Sequence, residues 1–249
     1  MALPPVGAQL LVFGKKYSIE RDTDAILDCI ARAGYRGVEG AARDAETYRR
    51  KLDERGLVCG GHHVGLKSLA DIRPLVKYLR VLGCRDVCNS GLAAWEKRSL
   101  ADYKEAIAAL NRAGRLLRGE GIRLHYHNHD FEFQKVDGSK TGMDLLVEGL
   151  DPDAADLCVD VAWVMRGGDD PASFLRRHKD RIGYLHLKDH DGTDWIELGR
   201  GKLDLAGVMK VLPELAGVRW VMIEQDSTKL DPMESVALSR KYLKDTFGY

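Results

Sequence analysis

Hydrophobic residues follow two different rhythms along this chain. Short apolar runs alternate with longer stretches in which apolar residues recur every three or four positions. The short runs are typical of buried β-strands, and the longer stretches are typical of amphipathic helices that pack one face on a core. We predict eight strands, over 6–13, 36–39, 57–64, 86–89, 124–133, 156–160, 182–187 and 220–224.

Capping residues and glycines delimit the predicted helices. The first helix begins near Thr23 and ends at Gly34, because glycine is favoured just past a helix C-terminus. Ser68 is expected to cap the third helix, in which Pro74 marks a kink or a later start. Asp231 precedes a proline and opens the last helix. Strands and helices therefore alternate along the whole chain.

Eight strands alternating with eight helices, without a linker, predict an α/β fold: a single (β/α)8 TIM barrel. We expect one domain over residues 1–249. The alternative, a doubly wound open sheet, is favoured by a glycine-rich turn after the first strand, and the segment 13–16 is not such a turn. The sequence also contains no G-x-G-x-x-G or P-loop pattern.

Charge and composition exclude several classes of protein. The 249 residues are 45% hydrophobic, which is enough for a large core. Lys+Arg and Asp+Glu both number 38, so the formal net charge is zero. Without a basic field to hold a phosphate backbone, we expect no nucleic-acid partner.

The cysteines and the N-terminus indicate the compartment. There are five cysteines, an odd number without C-x-x-C spacing, and we expect them to be reduced and buried, at Cys29, Cys59, Cys84, Cys88 and Cys158. The N-terminus lacks a charged segment followed by an apolar one, and no apolar run is long enough to span a membrane. We expect a cytoplasmic protein with no membrane partner.

One stretch, 124–133, carries three histidines at alternate positions. In an extended strand, His125, His127 and His129 point to one face, where three imidazoles make a poor hydrophobic core. Other polar residues follow the remaining strands, at the barrel end where chemistry is found in this fold. These residues are Glu39, His62, His63, Asn89, Glu132, Asp160, His186, Lys188, Asp189, Glu224 and Asp226.

Each of these residues, taken alone, also has a structural interpretation. Asp160 could cap a helix, His186 could be packed in the core, and Glu39 could be a solvated loop carboxylate. Lys188 could neutralise a neighbouring aspartate. Glu224 ends a buried apolar run, where a cation or a metal would relieve the cost of burying its charge. A mixed set of histidine, aspartate and glutamate suits Mn²⁺, Co²⁺, Fe²⁺ or Zn²⁺ rather than Ca²⁺.

Several segments resemble those of the xylose isomerase-like barrels, which are described as sugar phosphate isomerases and epimerases. The matching segments are 37–39, 62–65, 157–160, 185–189 and 223–226. The resemblance covers essentially the whole chain. It implies one divalent metal ion, with Mn²⁺ favoured, and it implies that Asp160, His186 and Glu224 are ligands on the sixth, seventh and eighth strands.

The fifth strand departs from the family pattern. Many relatives carry a glutamate ligand there within a Glu-Asn-His triplet, whereas this chain reads His127-Asn128-His129. His127 is therefore the expected fourth ligand, and Glu132 is the alternative. Epimerases of the family are thought to use two metal-bound carboxylates on opposite faces of the substrate. With one of them replaced, elimination or one-face isomerisation is favoured, and the stretch is similar to that of inosose dehydratases and of enzymes acting on 3-keto sugars.

The predicted function is a metal-dependent sugar isomerase, epimerase or dehydratase acting on a keto-sugar or a cyclic polyol. An α-proton leaves to Glu224 and the metal stabilises the enediolate. A histidine, His63 or His129, is the expected acid. Substrate hydroxyls are expected to meet Glu39 and Lys188. Trp163 is expected either to lie against the sugar ring or to pack at the barrel rim.

Two other classes compete with this prediction. An apurinic-site endonuclease of the same fold needs about three zinc ions and a basic groove. The neutral charge and the single ligand set argue against it. A non-catalytic sugar-binding barrel would bind no metal. Whether the helical faces also form a homo-oligomer is left open by the pattern.

Overall fold

The barrel is the organising feature of the computed structural model, which describes residues 3–93 and 98–249. Within these residues, eight parallel strands close into a barrel in which each strand pairs with its neighbours in sequence, and the last pairs with the first. The strands are β1 Val6–Gln9, β2 Gly37–Glu39, β3 Val58–Val64, β4 Asp86–Ser90, β5 Arg123–His127, β6 Ala155–Asp160, β7 Ile182–Leu187 and β8 Val221–Ile223. The predicted TIM barrel is confirmed.

Helices follow the strands and cover the outside of the barrel. Over the described ranges there are nine: α1 Thr23–Ala33, α2 Ala45–Asp53, α3 Arg73–Leu82, α4 Leu100–Gly119, α5 Gly142–Gly149, α6 Val161–Arg166, α7 Pro171–Arg177, α8 Leu205–Val211 and α9 Pro232–Phe247. In the part of the chain that the structure describes, no helix is long and apolar enough to cross a lipid bilayer.

The alternation of side chains along β5 separates the core from the barrel interior. Leu124 and Tyr126 are buried in the main apolar cluster, whereas His125 and His127, on the opposite face of the strand, are not part of it. A second, small cluster holds Cys88, Cys158, Tyr184 and Met222. Strand β5 therefore faces an apolar layer on one side and polar groups on the other.

A glycine makes room for one residue of the barrel interior. A Cβ atom on Gly61 would overlap the hydroxyl group of Tyr184 and crowd the side chain of Glu39. Glycine is thus required at this position of β3 by the close approach of a neighbouring side chain.

Three predicted boundaries were wrong, each for a local reason. Strand β1 ends at Gln9, and the following apolar residues form a 3-10 helix, Leu10–Lys15, because an apolar run alone does not distinguish a strand from a helix. Ser68 lies in another short 3-10 helix and does not cap α3, which begins later with Pro74 in its first turn. Strand β5 ends at His127, so the third histidine lies beyond it.

Candidate metal centre and active site

Four side chains meet at the carboxyl ends of β5 to β8. His127, Asp160, His186 and Glu224 each offer one ligand atom, and these atoms all lie within 4.8 Å of one another. None of the four residues is more than 5% exposed. The strand register aligns them, because Asp160 on β6 pairs directly with His186 on β7. The structure thus brings together the four residues that the sequence analysis expected as ligands.

The facing atoms of this cluster are only partly paired. His186 Nδ1 and Glu224 Oε2 form an ion pair, whereas His127 Nε2 and Asp160 Oδ2 are buried and have no hydrogen-bond partner. His127 Nε2 lies 3.6 Å from Asp160 Oδ2 and 3.7 Å from Glu224 Oε2. Leaving buried polar atoms unsatisfied is costly, and a divalent cation bound by two nitrogens and two oxygens relieves that cost. The residues present therefore fit a transition metal.

The two histidines are oriented by bonds from their other ring nitrogens. His186 Nε2 lies 2.9 Å from Glu39 Oε2, and His127 Nδ1 lies 3.3 Å from Ser90 Oγ. Such partners fix the ring orientation and the tautomer of a metal-binding histidine. Burial lowers the pKa of His127 well below its usual range, against the opposing effect of Glu224. A neutral imidazole, as metal binding requires, is favoured there.

The two carboxylates are also held through their second oxygens. Asp160 Oδ1 accepts hydrogen bonds from the backbone N–H groups of Ala162 and Trp163, at 3.0 and 3.1 Å, and thereby caps α6. Glu224 Oε1 accepts a hydrogen bond of 2.9 Å from Lys188 Nζ. Burial raises the pKa of Glu224, but Lys188 and His186 outweigh that effect and hold it well below the usual range.

Lys188 is a fully buried cation among three carboxylates. Its Nζ lies 2.7 Å from Asp226 Oδ1 and 3.5 Å from Asp160 Oδ2, in addition to its bond to Glu224. Burial lowers its pKa, but the carboxylates outweigh burial and raise it. The two aspartates considered as partners of Lys188 in the sequence, Asp189 and Asp191, are not among these three carboxylates. Lys188 is therefore held by three carboxylates, and its contact with a substrate stays a prediction.

Asp189 organises the loop that follows β7. Its carboxylate accepts four backbone hydrogen bonds, from the N–H groups of His190, Gly199, Gly201 and Leu203, at 2.9 to 3.1 Å. Buried carboxylates that accept several such bonds are well satisfied without a cation. Asp189 is therefore a structural residue of the loop.

Two tryptophans, Trp163 and Trp195, form an aromatic wall beside the cluster. Their ring centroids lie 4.6 Å apart in an edge-to-face contact. Lys188 Nζ lies 5.0 and 4.4 Å from the two ring centroids, and the Arg166 guanidinium lies 5.0 and 5.1 Å from them. The sequence analysis identified Trp163 but missed Trp195, which is in the short hairpin after β7 and has no distinguishing local pattern.

Glu39 joins two histidines below the rim. Its Oε1 lies 2.6 Å from His63 Nε2, and its other oxygen contacts His186. Burial lowers the pKa of His63, but Glu39 outweighs it and raises the pKa to about 10. His63 Nδ1 lies 2.8 Å from Ser90 Oγ. Neighbouring His62 points the other way, against the ring of Tyr78, so only one histidine of the pair belongs to the site.

A second group of four residues also meets the geometry of a metal site. One ligand atom each from Glu39, His63, Cys88 and His186 lies within 4.8 Å of the others. The sequence analysis counted one set of ligands when it argued against an endonuclease, and that count was incomplete. In this group Glu39 already pairs with both histidines, and burial raises the pKa of the Cys88 thiol well above its usual range.

The remaining residues of the histidine stretch have separate places. His125 is fully buried lower in the barrel, where its Nε2 lies 2.9 Å from Asp86 Oδ1. His129 lies in the loop after β5, with its ring centroid 5.1 Å from that of His127. Glu132 accepts a hydrogen bond from the Tyr126 hydroxyl and belongs to neither group of converging ligand atoms found among the described residues.

Comparison with known proteins agrees with this architecture. A family model described as xylose isomerase-like TIM barrel matches residues 27–246. An inosose dehydratase from Geobacillus kaustophilus is 25% identical over 88% of this chain and 86% of that enzyme. Several other inosose dehydratases align over only 54% to 56% of their length.

Solved structures share the fold at low sequence identity. A sugar phosphate isomerase/epimerase from Parabacteroides distasonis has a TM-score of 0.82 and 23% identity, covering 98% of this chain and 94% of that one. The IOLI protein, solved with a zinc atom, has a TM-score of 0.78 and 14% identity, covering 97% of both chains. At these identities the likeness establishes the fold alone.

Proposed function

Because the chain belongs to the xylose isomerase-like TIM barrel family, we propose that it is a divalent-metal-dependent enzyme acting on a keto-sugar or a cyclic polyol ketone. Its relatives are named as dehydratases and epimerases, so the chain is a sugar-acting enzyme of the isomerase or lyase type. One observation carries the proposed metal dependence: four buried ligand atoms converge at the carboxyl end of the barrel, and two of them, His127 Nε2 and Asp160 Oδ2, have no hydrogen-bond partner.

The cation would be held by His127, Asp160, His186 and Glu224. When bound, it supplies positive charge that polarises a ketone oxygen and stabilises the negative charge left by loss of an α-proton. Mn²⁺ is our first expectation for two nitrogens and two carboxylate oxygens, and the zinc atom in the IOLI structure supports Zn²⁺ as the alternative.

Glu224 is the proposed base. Lys188 and His186 keep it ionised, as a proton acceptor must be, and Lys188 fixes one of its two oxygens. The opposite position on β5 is occupied by His127, whose neutral ring is no equivalent of a second carboxylate base. This asymmetry favours removal of a proton from one face, followed by dehydration or one-face isomerisation, over epimerisation.

The proton donor is a histidine at the rim, His63 or His129. Glu39, which is 1% exposed and contacts two imidazoles, orients His63 and His186 more directly than it could meet a substrate hydroxyl. Trp163, half-buried in the aromatic wall, offers an apolar surface for a sugar ring beside the cluster.

Metal analysis of the Asp160→Asn variant tests this proposal. Asparagine keeps the acceptor that caps α6 but removes the charge of the ligand. For the wild type we expect about one divalent ion per chain after dialysis against Mn²⁺. For Asp160→Asn we expect the metal affinity to fall by more than the roughly 10–100-fold that is typical of outer-shell substitutions. Asp153→Asn, on the exposed surface, is the matched control and should bind like the wild type.

Catalysis is measured on the same samples with an inosose, by ultraviolet absorbance of the dehydrated product. About three zinc ions per chain would instead favour the endonuclease. Absence of bound metal in the wild-type protein would contradict the proposal and favour a non-catalytic sugar-binding barrel.

A further inference from the structure

We propose that Asn128 is a positioning residue that holds two of the proposed metal ligands, His127 and Asp160, in register with each other. This inference rests on the proposed function. It assigns a role to a buried carboxamide that is not itself one of the converging ligand atoms. The role is to give one fixed geometry to two ligands that come from different strands.

The strand pairing between β5 and β6 stops short of the second ligand. The last paired residues are His127 and Cys158, so Asp160 lies two residues beyond that ladder. The side chain of Asn128 continues the connection. Its Oδ1 accepts a hydrogen bond of 3.0 Å from the backbone N–H of Asp160, and its Nδ2 donates one of 3.3 Å to the backbone carbonyl of Asp160. The carboxamide thus extends the contact between the two strands as far as the ligand.

Both bonds of this connection lie in the protein interior. Asn128 is 1% exposed and Asp160 is fully buried, so an unpaired backbone group there would cost free energy. A carboxamide offers a donor and an acceptor side by side, whereas a carboxylate offers acceptors alone and a hydroxyl group has a single polar atom. Asparagine therefore satisfies the N–H and the carbonyl of Asp160 at once.

The direction of the Asp160 ligand atom follows from these contacts. Its Oδ1 is held by the backbone N–H groups of Ala162 and Trp163, at the start of α6. With the backbone and Oδ1 both fixed, Oδ2 lies 3.6 Å from His127 Nε2. Because Asn128 directly follows His127, one side chain connects the backbones that carry both ligands. Ligands that are held in place before the cation arrives lose little freedom when it binds.

A second asparagine makes the same kind of connection outside the site. Asn111 on α4 accepts a hydrogen bond of 2.9 Å from the backbone N–H of Asp151 and donates one of 2.9 Å to the carbonyl of Gly149. None of these three residues belongs to either group of converging ligand atoms found among the described residues. Asn111 is therefore a matched control for Asn128.

Substitution by leucine tests the proposed role, because leucine has nearly the shape of asparagine without its donor and acceptor. For Asn128→Leu we expect the Mn²⁺ affinity, measured by isothermal titration, to fall by about 10–100-fold, as for other residues that orient ligands. The visible absorption spectrum of the Co²⁺-loaded protein should also change, since it reports the geometry of the ligands. Asn111→Leu should lower the urea midpoint of the metal-free protein, as Asn128→Leu does, but should leave the Mn²⁺ affinity and the Co²⁺ spectrum unchanged.

A smaller side chain keeps the test decisive if Asn128→Leu does not fold. Asn128→Ser leaves room for a water molecule, which can pair with the backbone of Asp160 without holding it in one place. We expect this variant to fold, to bind Mn²⁺ about 10-fold or more weakly than the wild type, and to show an altered Co²⁺ spectrum.

Two results would overturn the inference and leave the proposed function standing. The Asn128 variants could bind Mn²⁺ as tightly as the wild type, with an unchanged Co²⁺ spectrum, which would make Asn128 a purely structural residue. Asn111→Leu could weaken binding as much as Asn128→Leu, which would attribute the loss to general loosening of the barrel. If the wild-type protein binds neither Mn²⁺ nor Co²⁺, the proposed function fails and this inference fails with it.

Discussion

Buried charged groups are paired differently at the two ends of the barrel. At the amino end, His125 pairs with Asp86, which also bonds to the guanidinium of Arg219, at 2.8 Å. At the carboxyl end, two residues further along the same strand, His127 meets Asp160 and Glu224 without a hydrogen bond between the facing atoms. At the amino end the charges are paired by neighbouring side chains, whereas at the carboxyl end four ligand atoms converge at the proposed cation site.

This contrast separates stability from function. Breaking a buried pair leaves an uncompensated charge and costs folding free energy, whereas removing one of several mutually repelling carboxylates does not. In TIM barrels the amino end serves stability and the carboxyl end carries chemistry. Three experiments test whether this division holds here. The first two compare the two ends, and the third examines a residue at the carboxyl end.

The largest effect on stability is expected at the amino end. Asp86→Ala leaves His125 and Arg219 without their shared carboxylate and should lower the free energy of unfolding by about 3 kcal/mol, near the lower limit for buried pairs because Arg219 is partly exposed. Urea denaturation of metal-free protein measures this. Asp160→Asn should unfold like the wild type in the same assay, and an equal loss in both variants would contradict the division.

A smaller stabilisation is expected from metal at the carboxyl end. Mn²⁺ at 100 times its dissociation constant should stabilise the folded state by about 2.7 kcal/mol. For a chain of this size that raises the melting temperature by roughly 5–10 °C, and a chelator should reverse it. Asp86→Ala should show the same increment from its lower baseline. An increment lost in that variant would mean that the two ends are coupled.

The smallest effect is expected from the residue that orients a ligand. Glu39→Gln weakens the contact to His186 Nε2 and should reduce metal affinity by about 10–100-fold, as outer-shell substitutions do. Isothermal titration of the metal-free protein with Mn²⁺ measures this. Glu20→Gln, outside the site, serves as the control. If Glu39→Gln abolished binding altogether, Glu39 would be a ligand of the second group of converging atoms.

The barrel and the convergence of the candidate metal ligands could be predicted because they depend on residue order. A strand that ends in a polar residue delivers that residue to one rim of a closed parallel barrel, whichever helices lie between. His127, Asp160, His186 and Glu224 each follow or end such a strand, so their convergence follows from the topology alone. The order of strands and of the residues at their ends can be read directly from the sequence, so this part of the site could be predicted.

Other parts of the site depend on loop geometry and could not be predicted. Ser90 bonds to both His63 and His127, yet a single serine at a strand end carries no signal in the sequence. The carboxylates around Lys188 could not be identified from the sequence, because they come from other strands and not from its neighbours along the chain. Trp195 lies at the rim because of the hairpin after β7. The path of that loop depends on the backbone hydrogen bonds accepted by Asp189, which the sequence does not indicate.

That hairpin has a kinetic consequence. Asp189 holds the loop after β7 with four backbone hydrogen bonds, so the aromatic wall that contains Trp195 is assembled when the chain folds. The surface is therefore ordered before a ligand binds, and the protein should lose little conformational entropy on association. As the proposed contact for a sugar ring, this wall is expected to exclude substrates that do not fit and to bind a good substrate in a single fast phase, without a slower closing step.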